Sequence, residues 1–228
     1  MFVSFTVAQY SGLKTPMGLL SMMIFNMLLP FQKNGPQFSK LMGSGKNGTF
    51  DVEPDLNQWA YLFVWENEQA FLNFKNKSLI FKYIENFSSL HFTLHLQPVQ
   101  AHGLWDKKTP FGEKSGLSIN ENEPVAVLTR ASIKINKAAD FWRNVPEVTK
   151  NFSQNEGLVY SIGIGEIPLF KQATLSIWQN EGNMKNFAYK KKEHAKVIQK
   201  TRSQAWYSEE LFARFRIVGI SGQVPFSI

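Results

Sequence analysis

Cysteine is absent from the 228 residues, and that one absence removes several chemistries together. No disulfide, thiolate nucleophile, iron–sulfur cluster or thiolate-ligated haem can be built from this chain, so His, Tyr and Met remain as side chains able to bind a haem iron. The same absence suits a reducing compartment. Histidine is scarce too, with four copies at positions 91, 95, 102 and 194. A long apolar run is missing: Met17 to Leu29 is broken by Ser21 and Asn26 and closed by Pro30, short of the roughly 20 residues that span a bilayer. Its methionines, Met17, Met22, Met23 and Met27, read as core stripe, although such flexible side chains could also line a pocket for a long apolar ligand. The N-terminal Met1-Phe-Val-Ser-Phe-Thr-Val lacks the basic leader and apolar core of a secretory signal, so a cytoplasmic protein is expected.

Other absences narrow the chemistry further. Glu209 and Glu210 are adjacent and point apart in either a helix or a strand, so they form no catalytic dyad, and a solvated or capping role is expected. Gly43-Ser-Gly-Lys46 lacks both the glycine spacing of a phosphate loop and the Ser or Thr after Lys. The net charge of +7 invites a nucleic-acid partner, but no zinc-finger spacing, RNA-recognition signature or recognition-helix pattern accompanies it. Positive charge equally suits an anionic membrane surface or the carboxylates of a cofactor. Hydrophobic residues make up 43% and charged residues 19%, which describes a globular chain able to bury a full core.

What is present is a repeat. Trp65, Asn67, Glu68, Asn73 and Phe74 recur as Trp178, Asn180, Glu181, Asn186 and Phe187, each pair 113 residues apart. Both sets begin in an alternating strand, Ala60 to Trp65 and Ala173 to Trp178, and pass into a helix whose entry Asn is a natural cap. Val99-Gln-Ala-His-Gly103 is echoed by Val218-Gly-Ile-Ser-Gly222. Two copies of one ancestral unit explain this economically. Each reads as strand, helix, two strands, helix and strand. In the first these are Phe2–Tyr10, Thr15–Leu29, Gln37–Gly43, Gln58–Trp65, Glu68–Phe74 and His91–Val99, and in the second Val125–Ile135, Lys137–Thr149, Leu158–Gly165, Gln172–Trp178, Glu181–Thr201 and Leu211–Ile220. The fold expected is α+β: ferredoxin-like halves at 1–102 and 125–228, joined by a linker at 103–124, closing a dimeric-α/β-barrel-type fold within one chain.

The basic helix after Trp178 carries the most telling histidine. At 100° per residue, Met184, Phe187, Ala188, Lys191, His194, Ala195 and Ile198 share one arc, while Lys190, Lys192, Glu193, Lys196 and Lys200 point elsewhere. His194 therefore faces inward, either as a hydrogen-bonded core residue or as an iron ligand. At the 113-residue offset its counterpart is Phe81, so one half alone would carry an imidazole. His91 and His95 alternate with Leu and Phe in a strand, where four residues span about 13 Å, too far for both to reach one metal. His102 reads as a loop residue in a Gly- and Trp-bearing turn, or as a distal group.

Several blocks resemble the spheroidene monooxygenase family: Pro124-Val-Ala-Val-Leu-Thr-Arg-Ala-Ser-Ile133, Phe141-Trp142, Ile164-Gly-Glu166-Ile-Pro168, Gln172 to Trp178, Met184, Phe187-Ala188, His194 and Trp206-Tyr-Ser-Glu-Glu-Leu-Phe-Ala-Arg-Phe215. Leu41-Met-Gly-Ser-Gly45, Gly103-Leu-Trp-Asp106 and Pro110-Phe111 are similar to its first half, and residues 1–35 carry little of the likeness. The resemblance implies keto-group introduction into acyclic carotenoids with O2 and an external electron donor such as a ferredoxin. It also implies kinship with haem-containing oxygenases that take an axial ligand from a helix histidine, which makes His194 the ligand of a haem b iron.

Haem propionates would need partners. Lys191, one turn before His194, could reach one or snorkel to water. Arg130, in an otherwise apolar strand, could be a distal donor polarising iron-bound O2, a propionate clamp or an ion-pair partner of Glu166. Trp142, Phe152 and Trp178 read as core aromatics. A polyene substrate dissolves in membranes, and the basic surface and the Met-rich Met17–Leu29 segment would suit peripheral contact at the inner face of the cell membrane. A homo-oligomer is as compatible with the sequence as a monomer. Three rivals stand beside this expectation: a cofactor-free monooxygenase of the antibiotic-biosynthesis type, a non-enzymatic haem carrier, and a binding barrel without redox chemistry.

Overall fold

A computed structural model describes residues 1–46, 53–143, 155–190 and 206–227. Eight antiparallel strands close into one barrel in the order β1-β3-β2-β6-β7-β5-β8-β4. They are β1 (Phe2–Gln9), β2 (Phe38–Gly45), β3 (Pro54–Trp65), β4 (Leu90–Gly103), β5 (Val125–Ile133), β6 (Leu158–Ile167), β7 (Lys171–Trp178) and β8 (Tyr207–Gly222). The first four strands lie in the order β4-β1-β3-β2 and the last four in the matching order β8-β5-β7-β6. One seam, β4 on β8, is long and runs from Phe92↔Gly222 to Gly103↔Leu211. The other, β2 on β6, rests on the pairs Gly43↔Gly165 and Ser44↔Ile164.

Outside the first sheet lie α1 (Thr15–Leu28), α2 (Glu68–Lys77) and α3 (Leu79–Phe87); outside the second lie helical residues 138–143, here α4, and α5 (Glu181–Lys190). The repeated Asn caps both of its helices. Asn67 Oδ1 accepts from the Ala70 N–H and Asn180 Oδ1 from the Asn183 N–H, each at 2.9 Å. The sequence reading ended the first of these helices at Phe74 and missed α3. Ser78 breaks the chain there and caps the new helix, its hydroxyl accepting from the Ile80 N–H at 3.0 Å.

Alternation assigns the strand faces. Val3, Phe5 and Val7 of β1 point into the barrel, while Phe2 and Ala8 face the helices, so both sides of the strand are buried and it reads as nearly continuous apolar sequence. An eight-stranded barrel is just wide enough for side chains to fill. One end is closed by the rings of Phe92, Tyr160 and Phe226, with centroids 4.7 to 5.7 Å apart. The other end is closed by the connection between the halves. Residues 103–124 do more than tether, because Trp105 is fully buried among the barrel residues and Phe111 packs on Phe215 at 5.0 Å.

Around Trp105 the inward positions turn charged. Lys40, Arg130, Glu166, Lys171 and Glu209 each continue the inward register of their strands, and Asp106 reaches them from the turn after β4. Arg130 bonds Glu209 and lies 3.6 Å from Glu166 and 3.7 Å from Asp106, and Lys171 holds Asp106 at 2.9 Å. Lys40 bridges Asp106 and Glu166. The Trp105 ring lies 5.6 Å from the Arg130 guanidinium and 5.7 Å from the Lys40 ammonium, and its N–H donates to Glu166 at 2.8 Å. Three cations and three carboxylates make the cluster neutral, as a low-dielectric barrel end requires. Glu209 also accepts from the backbone N–H groups of Asp106 and Lys107, at 2.9 and 2.7 Å, which holds those two residues at φ of 50° and 63°.

Removing one buried partner strands the others. Arg130→Met should lower unfolding stability by about 3–5 kcal/mol in chemical denaturation, the range typical of breaking a buried ion pair. Acid should act on the same cluster. Burial alone would raise the Asp106 carboxyl, but hydrogen bonds and charge from Lys40 and Lys171 outweigh it and bring it from 3.8 to about 2. Burial alone would likewise raise the Glu209 carboxyl, but the Lys107 and Asp106 N–H groups and Arg130 outweigh it, so its pKa is lowered. Depressed folded-state values mean that this stability is complete above the unfolded carboxylate range, near pH 4, and is lost as pH falls toward 2. Melting temperature measured between pH 6 and pH 2 should fall less steeply in Asp106→Asn, whose barrel end has lost one of its titrating carboxylates.

Candidate functional site

The barrel interior is packed by its own side chains, which leaves the outer faces to hold a ligand. Those of the two sheets differ. On β3 the outward residues are Trp59, Tyr61, Phe63 and Trp65, all buried under α1, α2 and α3. At the 113-residue offset β7 presents Gln172, Thr174, Ser176 and Trp178. Aromatic bulk is thus kept at one end and replaced by small polar side chains along the rest of the strand.

Register extends this small floor sideways. Thr174 pairs with Gly163 of β6 and Thr129 of β5, and Thr129 with Phe212 of β8, which makes one rung across the outer face. The next rung is Ser161, Ser176 and Val127. Aromatic clusters stand at both ends. Trp178, Met184 and Phe187 pack with Val125, Val127 and partly buried Phe212 on one side; Phe141 and Trp206 pack with Ile133, Trp142 and Tyr207 on the other. The Trp178 and Phe187 rings are 5.2 Å apart. Between these clusters Thr129 is exposed, while the hydroxyl of buried Thr174 has no hydrogen-bond partner. An orphaned buried hydroxyl costs about 1–3 kcal/mol, so it marks a place where a partner belongs.

The inward arc read from the sequence holds as far as the description goes: Met184 and Phe187 of α5 are buried against this sheet. His194 and Lys191, the residues assigned to the iron and a propionate, lie outside the described residues, as does Phe152. Arg130 is described and points into the barrel, away from the outer floor. It forms an ion pair with Glu209 and has Glu166 beside it, while its Nε and Nη2 have no hydrogen-bond partner. Glu209, expected to be solvated or capping, is the counter-ion the sequence reading missed. Its signal was period two: Glu209, Leu211, Ala213 and Phe215 all face inward.

The remaining histidines are accounted for locally. His91 Nδ1 meets Ser88 Oγ at 2.9 Å and His95 Nε2 meets Ser221 Oγ at 3.2 Å, both on β4, and burial pushes both imidazoles below their usual pKa. His102 is not in a loop. It lies on β4, exposed, with its ring stacked on Phe212 at 5.1 Å, at the edge of the outer floor. Among the described residues no group of three or more His, Asp or Glu is placed to hold a metal ion. The small floor, its aromatic ends and the unpartnered Thr174 hydroxyl suit a flat apolar group with polar substituents.

No family model matches the chain. Among individual relatives, spheroidene monooxygenase of Rhodobacter capsulatus is 34% identical over 219 residues, covering 96% of this chain and 91% of its own. The Cereibacter sphaeroides spheroidene monooxygenase is 32% identical over 97% of this chain and 68% of its own, and that of Rubrivivax gelatinosus 31% over 82% and 71%. Among solved structures, two crystal structures of aldoxime dehydratase superpose with TM-scores of 0.61 and 0.63 at 11% and 8% identity. Each covers 95% of this chain, and 81% and 79% respectively of the other, which shows a shared barrel with outer helices. By its sequence relatives, this chain belongs to the spheroidene monooxygenase family.

Proposed function

We propose that this protein is a haem-dependent monooxygenase that oxidises a long apolar polyene, an acyclic carotenoid of the spheroidene type, and that His194 is the residue that would hold a haem b iron at the outer face of the second sheet. Homologues named monooxygenase support an oxygenase. The observation that carries the cofactor reading is the contrast between the two outer faces. Tyr61 and Phe63 fill the first, and Thr174 and Ser176 leave the second low, with one hydroxyl unpartnered. We read the matching strand orders as two ferredoxin-like copies, 1–102 and 125–228, joined through 103–124.

Internal symmetry supports His194. Its counterpart Phe81 sits on α3, buried on the first outer face, with its ring 6.2 Å from Phe63 and 5.7 Å from Phe71. Phe63 corresponds to Ser176, so a side chain at 194 disposed as Phe81 is would stand over the small floor. The first half also tempers the sequence reading, because its matching stretch is two helices broken at Ser78 rather than one continuous helix.

The division of labour then follows. When bound, the haem supplies an iron that activates O2 with electrons from an external donor such as a ferredoxin. His194 would hold that iron, and Lys191 would be the partner of a propionate. Thr174 offers its free hydroxyl at the floor. Trp178, Phe187 and Phe212 exclude water at one end. Arg130 keeps the barrel end closed through its ion pair with Glu209.

Titration of the purified protein with hemin tests the reading. A saturable Soret band is expected in the wild type, and its shift and weakening in His194→Ala. A wild type that gives no band yet oxidises a phenol would establish the cofactor-free rival, and a band without carotenoid turnover the haem carrier. Thr174→Tyr, which restores the residue of the first half, should fill the floor and weaken hemin binding by about tenfold or more, and because Thr174 is buried it should also lower the melting temperature.

A further inference from the structure

Helix α1 is uncharged on every side: from Thr15 to Phe31 there is no Asp, Glu, Lys or Arg. Its inner side is committed to the barrel. A Cβ on Gly18 would stand 2.3 Å from Trp59 Nε1, so the helix backbone approaches as closely as glycine permits. The Ser21 hydroxyl lies 2.6 Å from the Gly18 carbonyl and 2.7 Å from the Tyr61 hydroxyl, and the Tyr83 hydroxyl donates to the Met17 carbonyl at 2.9 Å. Phe25 packs between Tyr61 and Tyr83, at 5.3 and 5.5 Å.

The outward side is apolar as well. Leu20, Met23, Met27 and Phe31 follow one another at helical spacing, and Met23, Met27 and Phe31 are 66%, 65% and 83% exposed. An ordinary surface helix would carry charge on that arc. A contiguous apolar face of this kind marks an interaction site. The run Gly12–Phe31, 20 residues of mean hydropathy 1.3, reaches the length that crosses a membrane, longer than the Met17–Leu29 stretch judged too short in the sequence. Its inner contacts nonetheless bind it along the barrel, so it lies flat.

Charge selects the occupant. The first fifty residues contain four lysines and no Asp or Glu, and exposed Lys14 and Lys33 flank the helix at its two ends. A second copy packed face to face would bring like charges together at both ends, whereas anionic headgroups are complementary to them. From this we infer that α1 is a bilayer-docking surface: it lies in the headgroup–acyl boundary of an anionic membrane, with Leu20, Met23, Met27 and Phe31 immersed and Lys14 and Lys33 against the headgroups. This does not depend on the haem reading.

Flotation of the full chain with vesicles of phosphatidylglycerol in phosphatidylcholine tests it. The wild type should float with these vesicles, float less with phosphatidylcholine alone, and be partly released by salt. The double variant Met23→Glu/Met27→Glu should lose about tenfold or more in partitioning while keeping its melting temperature and hemin binding. Should it melt lower, Met23→Ser/Met27→Ser takes its place. A wild type that stays with the lipid-free fraction, or a folded double variant that floats equally well, overturns the proposal. So does a light-scattering dimer that the double variant splits without any flotation by the wild type, since a second copy would then cover the face.

Discussion

Closure of the barrel is the constraint on which the remaining structure depends. Eight strands enclose a space that side chains can just fill, and here they fill it: Phe92, Tyr160 and Phe226 at one end, aliphatic layers between, and Trp105 set in an ion cluster at the other. The cluster is tolerable because three cations face three carboxylates and because the turn at Asp106 and Lys107 aims two N–H groups at Glu209. A filled interior leaves the outer faces as the places where a ligand of any size can sit. Function in this fold is therefore a matter of what each half does with its outside.

The halves use it differently although the strands are arranged alike. The first copy covers its sheet with α1, α2 and α3 and drives Trp59, Tyr61, Phe63 and Trp65 into them. In the second copy the same strand offers Gln172, Thr174 and Ser176 before the shared Trp178. Two aromatic rings of the first face are thus matched by two small hydroxyl side chains, both buried, on the second. The proposed cofactor belongs to the second face, and the asymmetry gives one site rather than two.

Helix α1 shows a second division between the faces of one element. Its inner side uses glycine and serine to approach Trp59 and Tyr61, and its outer side carries Leu, Met and Phe into solvent. Substrates that dissolve in lipid must be collected there, so a helix docked on a bilayer and an oxygenase site on the opposite half would serve the same chemistry.

Much of this was legible before any coordinates. Period-two alternation and the 113-residue repeat located the eight strands to within a few residues, because both faces of a barrel strand are buried and leave a dense apolar signature. The Asn caps were legible for the same local reason, since an N-cap is a contact between residues three apart. α3 was not, because Ser78 breaks and restarts a helix within a stretch that has no clear turn signal. Nor was the role of Glu209, because its partner Arg130 lies 79 positions away and only the β5–β8 register brings them together. The order of elements, the lack of thiol chemistry and the duplicated pattern were thus set by the sequence through short-range periodicity. Tertiary structure alone decided that Arg130 turns inward to an ion cluster and that residues 103–124 plug the barrel. Each of these follows from how distant strands are registered around a closed sheet.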